Sequence, residues 1–394
     1  MTETGHKSLR YKGDQALRSD FIIVGGGISG ASAAYFLSQL GSVVLVEQED
    51  HFAAHSSGRS AGQYTVGITS RPMRALAAAS RAFLALPPPE FAEVPLITQR
   101  GSLTVGRRDQ YGILKRLQER ILQSGGKADR VDRDQALALF PALAPDTFDD
   151  GVYEVDAQDI DVDALLQGYL KGARRNGATL LTGARVVAIL RRGGRWIIET
   201  AGRVTCSAPV LVNAAGGWVD TIAALAGVTP IGIVPYKRTA FTFPLLPGSM
   251  GAEWPHVCHA DYDWYVKPER GCFIGSPADA IPVAPGDVYP DDVDVAQGIH
   301  NIEQGTTLRV HRPLNAWAGL RSYVRDRNPV CGALPDSPGF IWLAGQGGCG
   351  VLASPAIGQA VAGIVQNKPL PEPLAALGLT AEELSPARLT LRAA

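Results

Sequence analysis

The stretch Phe21-Ile22-Ile23-Val24-Gly25-Gly26-Gly27-Ile28-Ser29-Gly30 decides the fold of the first part of the chain. Its four leading apolar residues predict a short buried strand, and residues 28–40 predict a helix that ends at Gly41. In this glycine pattern Gly25 permits a tight turn, Gly27 lets a diphosphate approach the backbone, and Gly30 lets the helix pack closely on the strand. The free N–H groups and the dipole at the start of the helix would face that diphosphate. The stretch therefore predicts a dinucleotide-binding turn.

A second strand supports this prediction. Val43–Val46 is apolar and leads directly to Glu47, which lies 22 residues after Gly25. A carboxylate at this place can accept hydrogen bonds from both hydroxyls of an adenosine ribose, and its charge disfavours a 2′-phosphate. Strand, helix and strand form a βαβ unit of about 30 residues, from which parallel sheets are built. We therefore predict an α/β protein with a doubly wound, Rossmann-like nucleotide domain.

The rest of the chain alternates between helical and strand-like patterns. Helices are predicted at residues 74–86, 110–125, 163–176 and 354–367, and strands at 103–105, 179–181, 185–190, 196–200, 203–206, 210–212 and 340–344. The Pro-rich residues 237–310 are predicted to be strand-like, most clearly at 265–267 and 272–274. Because nucleotide-binding patterns occur at both ends and in the middle, the nucleotide domain is predicted to be discontinuous. The predicted division is a flexible tail at 1–19, a nucleotide domain at 20–106, 150–235 and 311–394, and a substrate domain at 107–149 and 236–310.

Two further stretches distinguish FAD from NAD, which the first turn would accept equally well. The stretch His55-Ser56-Ser57-Gly58-Arg59-Ser60-Ala61-Gly62 is a turn of small residues with one cation, suited to a second phosphate contact. The stretch Gly345-Gln346-Gly347-Gly348-Cys349-Gly350 is another glycine-rich turn between a strand and a helix. The dipole of that helix would stabilise negative charge on a reduced flavin ring. Each stretch alone also fits an ordinary loop, but all three turns in this order favour FAD.

The composition limits the class of protein. The 394 residues carry a formal net charge of -1, so no long-range attraction to nucleic acid is expected. The five cysteines are odd in number and form no CxxC pair, which favours a reducing compartment over a disulfide framework. Residues 1–20 lack the apolar core of a signal peptide, and no run approaches the roughly 18 apolar residues of a membrane span. We predict a cytoplasmic protein and leave open a peripheral contact with the inner membrane.

Three polar residues have two interpretations each. Arg321 ends the apolar run 316–320, where a cation needs a partner, so it is a candidate ligand of an anion. Arg238 without further context fits a structural cation equally well. Tyr265 lies in an alternating strand segment and fits a core position as well as a ligand position.

No metal site is predicted. His256 and His259 lie three residues apart, so in a strand they point to opposite faces. A structural zinc site needs four converging ligands, and no second ligand cluster is evident. Cys349 is interpreted as a small apolar filler near the flavin.

Several motifs together resemble a known family. They are His55-Ser-Ser-Gly-Arg-Ser-Ala61, Tyr64-Thr-Val66, Arg74-Ala-Leu76, Ala79-Ser-Arg-Ala-Phe83, Asp159-Ile-Asp-Val-Asp-Ala164, Gln167-Gly-Tyr-Leu170, Val212-Asn-Ala-Ala-Gly216, Trp317-Ala-Gly-Leu-Arg-Ser322 and Gln346-Gly-Gly348. From about residue 19 to residue 388 the chain resembles the D-amino acid oxidase-like FAD oxidoreductases, which include glycine oxidase, sarcosine oxidase and the bacterial D-amino acid dehydrogenases. It is most similar to the FAD-dependent D-arginine dehydrogenases.

The resemblance implies a fold and a set of cofactor contacts. The fold would be a doubly wound FAD domain with an α+β substrate domain, whose antiparallel sheet roofs the flavin. FAD would be held without a covalent bond. The implied contacts, together with the glycines of the first turn, are Ser29, Glu47, Gln48, Ser56, Ser57, Gly58, Arg59, Ser60, Ala61, Gly62, Gln63, Val187, Gly216, Gly347, Gly348, Cys349, Gly350, Val351 and Leu352.

The resemblance also implies a substrate site. Arg238, Arg321 and Tyr265 would bind the substrate carboxylate, and the carbonyl of Gly348 would accept from the substrate amine. Guanidinium groups suit a carboxylate because they bind it in a bidentate fork.

The sequence departs from the D-arginine dehydrogenases at the side-chain end of the site. Their active-site histidine is Gln63 here, their mobile-loop tyrosine is Ile68, and the carboxylate that pairs with the substrate guanidinium is Ser102. Two apolar pocket positions of these relatives fall near His256 and Cys258. Because a buried guanidinium needs a counter-charge, arginine itself is not the expected substrate.

The predicted activity is oxidation of the Cα–N bond of a neutral D-amino acid by hydride transfer to flavin N5. The imino acid product would hydrolyse to a 2-oxo acid and ammonia. Two alternatives stay open: an oxidase or dehydrogenase of secondary or cyclic amines, and a non-catalytic flavin-binding subunit of a complex. The electron acceptor (quinone, dye or oxygen), the oligomeric state and movement of residues 62–71 as a lid are also left open.

Overall fold

The computed structural model describes residues 16–390. The strands are β1 (Leu17–Arg18), β2 (Phe21–Val24), β3 (Val43–Val46), β4 (Gln63–Tyr64), β5 (Ile97–Gln99), β6 (Ser102–Gly106), β7 (Ala128–Asp132), β8 (Asp150–Glu154), β9 (Gln158–Ile160), β10 (Thr179–Leu181), β11 (Val186–Arg192), β12 (Arg195–Thr200), β13 (Thr205–Ala208), β14 (Val210–Asn213), β15 (Val234–Pro244), β16 (His256–His259), β17 (Tyr265–Glu269), β18 (Cys272–Ser276), β19 (Ile281–Pro282), β20 (Asn315–Tyr323), β21 (Val330–Ala333) and β22 (Phe340–Ala344).

The helices are distributed along the whole described chain. They are α1 (Ile28–Leu37), α2 (Arg71–Ala85), α3 (Tyr111–Gln123), α4 (Arg133–Leu139), α5 (Val162–Arg175), α6 (Val219–Leu225), α7 (Asp292–Gly305), α8 (Gly350–Val365), α9 (Glu372–Ala376), α10 (Ala381–Leu384) and α11 (Ala387–Thr390).

A six-stranded sheet carries the glycine-rich turns. Its order is β10-β3-β2-β14-β22-β21, and every neighbouring pair is parallel except β21 with β22. Parallel strands need crossover connections, so neighbours in such a sheet can be far apart in sequence. Here β2, β14 and β22 lie side by side. The turns that follow these three strands therefore meet at one edge of the sheet. The predicted α/β fold class is confirmed.

Each face of this sheet has its own core. On one face α1 packs against α5 and α8, and small residues permit close approach. Ser32 of α1 donates a hydrogen bond to the carbonyl of Ser354 in α8 at 2.6 Å. A Cβ atom on Gly358 would lie only 2.1 Å from the Ser32 hydroxyl oxygen, so the α1–α8 contact requires glycine there. The other face is covered by a four-stranded sheet in the order β1-β13-β12-β11 and by α6.

The largest sheet has nine strands and lies over the turns. Its order is β19-β15-β18-β17-β16-β6-β8-β7, with β20 paired to β15. Side chains alternate between its two faces. Leu103, Val257 and Val266 point to a separate core with α4 and α7, so their neighbours Ser102, Cys258 and Tyr265 point to the opposite face. That opposite face supplies one wall of the cavity described below.

The structure differs from the sequence predictions at several elements. Residues 292–305, inside the segment predicted to be strand-like, form helix α7. Its apolar residues Val295, Ile299 and Ile302 follow helical spacing and pack on the large sheet, where Ile302 is fully buried. The prediction was wrong because the acidic start of this helix obscured a short apolar stripe.

Two helices begin earlier than predicted. Helix α2 begins at Arg71 because the Ser70 hydroxyl accepts from the Met73 N–H, which caps the helix. Helix α8 begins at Gly350, ahead of Pro355, rather than near residue 354. The earlier start places the N-terminus of α8 directly after the second glycine-rich turn.

The domain division stays a prediction, but some strands cross its boundaries. β6, β8 and β20 were assigned to the nucleotide segments, yet all three hydrogen-bond into the nine-stranded sheet with residues 234–282. Most of the predicted tail lies outside the described residues. Within it, Leu17–Arg18 form β1, which pairs with β13.

Candidate active site

One cavity lies between the six-stranded and the nine-stranded sheets, and most predicted site residues line it. Its volume is about 540 Å³. The predicted cofactor residues on its wall are Gly25, Gly27, Ser29, Glu47, Gln48, Ser56, Ser57, Arg59, Ser60, Ala61, Val187, Gly216, Gly347, Gly348, Gly350 and Val351. The predicted substrate residues on its wall are Arg238, Tyr265, Arg321 and Gly348. Residues far apart in sequence therefore meet around one space.

The turn after β2 has the close contacts that its glycines predict. Gly25 has a positive φ of 105°, and a Cβ atom there would lie 2.5 Å from the carbonyl oxygen of Ala214. A Cβ atom on Gly30 would lie 1.8 Å from the carbonyl oxygen of Gly25. The bare backbone of Gly25 and Gly27 forms the cavity wall where α1 begins. This arrangement fits a diphosphate, which binds to backbone N–H groups at a helix N-terminus.

Glu47 is held rigidly at the same end of the cavity. Its side chain is 8% exposed. One carboxylate oxygen accepts from the Gly26 N–H at 2.6 Å and the other accepts from the Glu49 N–H at 2.9 Å. Each oxygen keeps a lone pair for a further donor, so the carboxylate can still bind ribose hydroxyls.

Two aromatic side chains at this end were not among the predicted site residues, although His55 begins the stretch predicted to contact a phosphate. His55 and Trp218 both line the cavity, and their ring centroids lie 4.7 Å apart. Nε2 of His55 lies 2.9 Å from Oε1 of Glu49. Trp218 follows the Gly216-Gly217 turn after β14, and that position after a buried strand was the available signal.

Arg59, the cation expected near a phosphate, has protein partners instead. Its Nη1 donates to the carbonyls of Ala318 at 2.7 Å and Val288 at 2.9 Å. Its Nη2 lies 2.6 Å from Oδ1 of Asp287. The side chain lines the cavity, but its guanidinium joins the turn at 55–61 to a segment near α7.

Arg238 and Arg321 lie side by side at the opposite end of the cavity. They come from the paired strands β15 and β20, where Tyr236 faces Arg321 and Arg238 faces Gly319. Nε of Arg238 donates to the carbonyl of Asp279, while Nη1 is buried without a partner. Burial and the like charge of Arg321 lower the pKa of Arg238. Two adjacent cations with an unpartnered N–H form a site for an anion.

The second glycine-rich turn packs directly against this pair. A Cβ atom on Gly348 would lie 3.0 Å from Cζ of Arg321, so the guanidinium rests against bare backbone. Gly347 has a φ of 56°, and a Cβ atom there would lie 2.0 Å from the Tyr323 ring. Any larger side chain in this turn would displace Arg321 or Tyr323.

Tyr262 is a further residue at this end, and the sequence carried no local signal for it. It has a φ of 56°, which is unusual for a bulky residue. Its ring lies 5.5 Å from Cζ of Arg238 and stacks on Tyr265 at 6.2 Å. Its phenol also lies beside Arg321. Strained residues cluster at functional sites, which marks Tyr262 as a candidate.

Gln63, Ser102 and His256 form a hydrogen-bonded array next to Tyr265. Nε2 of Gln63 donates to the Ser102 hydroxyl at 3.2 Å, and this hydroxyl lies 3.2 Å from Nδ1 of His256. The His256 ring lies 5.4 Å from the Tyr265 ring. Burial, together with the charge of Lys267, lowers the pKa of His256 to about 3. The array is therefore polar but uncharged at neutral pH.

Some predicted residues lie off the cavity wall. They are Gly30, Gly58, Gly62, Gln63, Ile68, Ser102, Cys349 and Leu352. Ile68 packs against the helical core instead. Gly58 and Gly62 pack closely against other backbone segments. A Cβ atom on Gly58 would lie 2.5 Å from the carbonyl oxygen of Ala53, and one on Gly62 would lie 2.8 Å from that of Ile160. All these roles, like those of the residues on the wall, stay predictions.

The described residues contain neither a group suited to a metal ion nor a membrane-spanning helix. Between residues 16 and 390, no three His, Cys, Asp or Glu side chains come together as a group that could hold a metal. Over the same residues, every helix is too short or too polar to cross a bilayer. All five cysteines are free thiols.

The fold and the cavity define a class of protein. A parallel sheet with glycine-rich turns after β2, β14 and β22, and an acidic residue after β3, is the architecture of a dinucleotide-binding oxidoreductase. Residues 20–364 match the family model described as DAO, FAD dependent oxidoreductase. The chain belongs to this family, and its cofactor is FAD. The predicted family and cofactor are thus confirmed, and the D-amino acid dehydrogenase type is taken up below.

Comparisons with individual proteins agree with the family. The chain is 24% identical to the hydrogen cyanide synthase subunit HcnC of Pseudomonas aeruginosa, over 89% of this chain and 93% of that protein. It is also 24% identical to glycine oxidase of Geobacillus kaustophilus, over 92% of this chain and 97% of that protein.

Solved structures agree on the fold. The glycine oxidase structure has a TM-score of 0.78 at 23% identity, over 90% of this chain and 96% of that one. L-proline dehydrogenase from P. horikoshii has a TM-score of 0.78 at 21% identity, over 95% of this chain and 99% of that one.

Proposed function

We propose that this chain oxidises the Cα–N bond of a neutral amino acid of the D configuration. The observation that carries the proposal is the pair of adjacent cations, Arg238 and Arg321, at the end of the flavin cavity. Nη1 of Arg238 is buried without a partner, and the side chain of Arg238 is only 11% exposed. An α-carboxylate would satisfy this N–H and offset the repulsion between the two guanidinium groups.

The amine would be placed by backbone rather than by a charged group. Gly348 has no side chain, lies against Arg321 and lines the cavity, so its carbonyl is a suitable acceptor for the substrate amine. FAD supplies the acceptor of the hydride when it is bound. The carboxylate clamp and the Gly348 carbonyl together would fix two of the substituents on the α-carbon, which positions its C–H bond.

Among the described residues, neither Gln63 nor His256 of the array is suited to act as a general base at neutral pH. Gln63 does not titrate, and a histidine with a pKa of about 3 is a weak base at neutral pH. The reactive substrate is therefore the neutral amine, selected from solution or deprotonated by solvent. The product would be an imino acid, which hydrolyses to a 2-oxo acid and ammonia.

A neutral substrate side chain is supported by the array beside Tyr265. Ser102, Gln63 and His256 carry no charge, so a cationic side chain would find no counter-ion in them. The charged groups on this face already have partners. Lys267 pairs with Asp159 and Glu269, and both carboxylate oxygens of Glu154 accept from residues 65 and 66.

The test is anaerobic mixing of the holoenzyme with a panel of D- and L-amino acids. We expect neutral D-amino acids to bleach the flavin absorbance and D-arginine to do so far more slowly. If no D-amino acid reduces the flavin, the proposal fails. Repeating the active pairs in air, and with a quinone or a dye, identifies the electron acceptor, for which we propose a quinone- or dye-like molecule.

A second candidate function is oxidation of an amino acid whose amine is secondary or cyclic. The same clamp would bind any α-carboxylate, and the absence of a charged group at Gln63 and Ser102 suits an N-alkyl substituent as well. The similarity to glycine oxidase supports a small substrate. Sarcosine and both prolines therefore belong in the panel, and reduction by these alone would replace the first candidate.

A third candidate follows from the relative that is named as a subunit. In that case the chain would bind flavin within a larger complex and show no turnover by itself. Dye reduction by the purified single chain would exclude this possibility. The cytoplasmic location and the domain division remain proposals as well.

A further inference from the structure

An irregular segment, residues 283–290, runs between β19 and α7, and we call it the strap. Its ends are attached to β15. The Val283 N–H donates to the carbonyl of Pro235 at 2.9 Å, and Lys237 pairs with Asp291 and, at 2.7 Å, with Asp294 just after the strap. The strap is therefore fixed at both ends to the nine-stranded sheet.

The middle of the strap is joined to the cofactor side of the cavity at one place. Asp287 pairs with Arg59 at 2.6 Å and lies 4.0 Å from Nδ1 of His55, while the Val288 carbonyl accepts from Arg59. The Tyr289 hydroxyl donates to the second oxygen of Asp287 at 2.9 Å. Among the described residues, no other hydrogen bond or ion pair links residues 284–290 to another segment.

The partner of the strap belongs to the turn that forms the cavity wall. Residues 53–57 and 59–61 line the cavity, and Ser57 accepts from the Ile28 N–H at the start of α1 at 2.9 Å. The backbone carbonyl of Arg59 also accepts from Nε1 of Trp317 in β20. A displacement of Arg59 would therefore move the wall that lies next to the diphosphate turn.

The contact stabilises the charged form of Asp287. The Arg59 guanidinium and the Tyr289 hydroxyl hold the pKa of Asp287 below its usual value. Arg59 is 22% exposed and Asp287 is 43% exposed, so solvent and salt can reach the pair. The contact is thus an ionic one that added salt weakens.

We propose that the Arg59–Asp287 pair is a clasp through which the strap retains FAD. The clasp holds the turn at 55–61 against the cavity, and FAD leaves when the clasp opens. Arg59 and Asp287 are in this sense positioning residues for cofactor binding. The inference depends on the family's cofactor and not on which substrate is oxidised.

The test compares the rate of FAD release from the holoenzyme and from Asp287→Asn, Asp287→Glu and Asp149→Asn. Release is followed as the rise of free-flavin fluorescence after dilution, at about 20 mM and about 500 mM salt. Asp149 pairs with Arg133 away from the cavity and is also 43% exposed, so it is a matched control. The melting temperatures of the four apoproteins are measured in parallel.

We expect Asp287→Asn to release FAD roughly fivefold faster than the wild type at low salt, since a partly exposed ion pair is broken. Salt should accelerate the wild type towards this rate and leave Asp287→Asn nearly unchanged. Asp287→Glu and Asp149→Asn should behave like the wild type, and the apoproteins should melt together.

Three results would overturn the clasp. One is an unchanged rate of release in Asp287→Asn. Another is an equal acceleration in Asp149→Asn, which would indicate a general charge effect. The third is a lower melting temperature of the Asp287→Asn apoprotein with no recovery in Asp287→Glu, which would indicate a structural role.

Discussion

The two ends of the cavity are built in different ways. The nucleotide end comes mainly from residues 21–47, where glycine backbone and one carboxylate lie close in sequence. The substrate end brings together Arg238, Tyr265 and Arg321 from three strands of one large sheet. The first end is predicted to bind through backbone, whose shape a local pattern dictates. The second is predicted to bind through side chains, whose placement depends on long-range strand pairing.

The largest effect at the nucleotide end is expected for Gly30→Ala. The new Cβ would lie 1.8 Å from a backbone carbonyl oxygen that cannot move aside, so we expect loss of bound FAD or of folding. Flavin absorbance of the purified protein and its circular dichroism measure the two outcomes. Gly202→Ala is the control, because its nearest neighbour would be 3.9 Å away. A yellow, fully folded Gly30→Ala protein would contradict the close packing.

The substrate end is tested by Arg238→Gln. Loss of one charged donor to a carboxylate should lower kcat/KM roughly 100-fold, mostly through KM, because charged hydrogen bonds contribute up to about 3 kcal/mol. The flavin spectrum and FAD affinity should stay as in the wild type. Arg133→Gln, at the surface, is the control. An unchanged KM would show that Arg238 is structural.

Glu154 provides a test of stability on the substrate side, where it is a buried carboxyl group. Burial raises its pKa to about 7, although Thr65 and the Val66 N–H bind the carboxylate. Since the folded-state pKa lies above the unfolded value, this contribution to stability is complete below about pH 4.5 and is lost as pH rises through about 7. The loss amounts to at most about 3 kcal/mol. The free energy of unfolding in urea, measured below about pH 4.5 and above about pH 7, should show this loss in the wild type and not in Glu154→Gln.

Tyr262→Phe should have the smallest effect. The ring would still stack on Tyr265 and lie over Arg238, and only the hydroxyl beside Arg321 would be lost. The hydroxyl acts on the substrate only through Arg321, which keeps its charge, so the lost contribution should be about 1 kcal/mol and we expect KM to rise roughly fivefold with kcat retained. Steady-state kinetics with the best substrate of the panel measure this, and a large fall in kcat would assign Tyr262 a more direct role.

The difference between the two ends also explains what the sequence could predict. The sequence could indicate the turn at residues 25–30 and Glu47 because their predicted roles depend on neighbours in the chain, and Gly25, Gly27 and Glu47 do line the cavity. The array of Ser102 and His256 depends on β6 pairing with β16, whose residues lie 154 positions apart. No periodicity in either strand specifies that pairing.

Other misses have the same cause. Tyr262 lies in a short loop, and only the folded arrangement brings it over Arg238. Arg59 looked like a phosphate ligand because its local pattern shows a lone cation among small residues. Its partner Asp287 lies more than two hundred residues away, so the sequence could not show that the charge is already paired.

The alternation along β16 has a consequence for how such a pocket changes over time. His256 and Cys258 face the cavity side, while Val257 is fully buried in the opposite core. Because neighbours in a strand face opposite ways, shifting the register by one residue exchanges the two sets. A single inserted or deleted codon near β16 would therefore exchange His256 and Cys258 for Val257 and His259 on that face in one genetic event. An insertion or deletion there is thus expected to change the face beside Tyr265 more than one point substitution does.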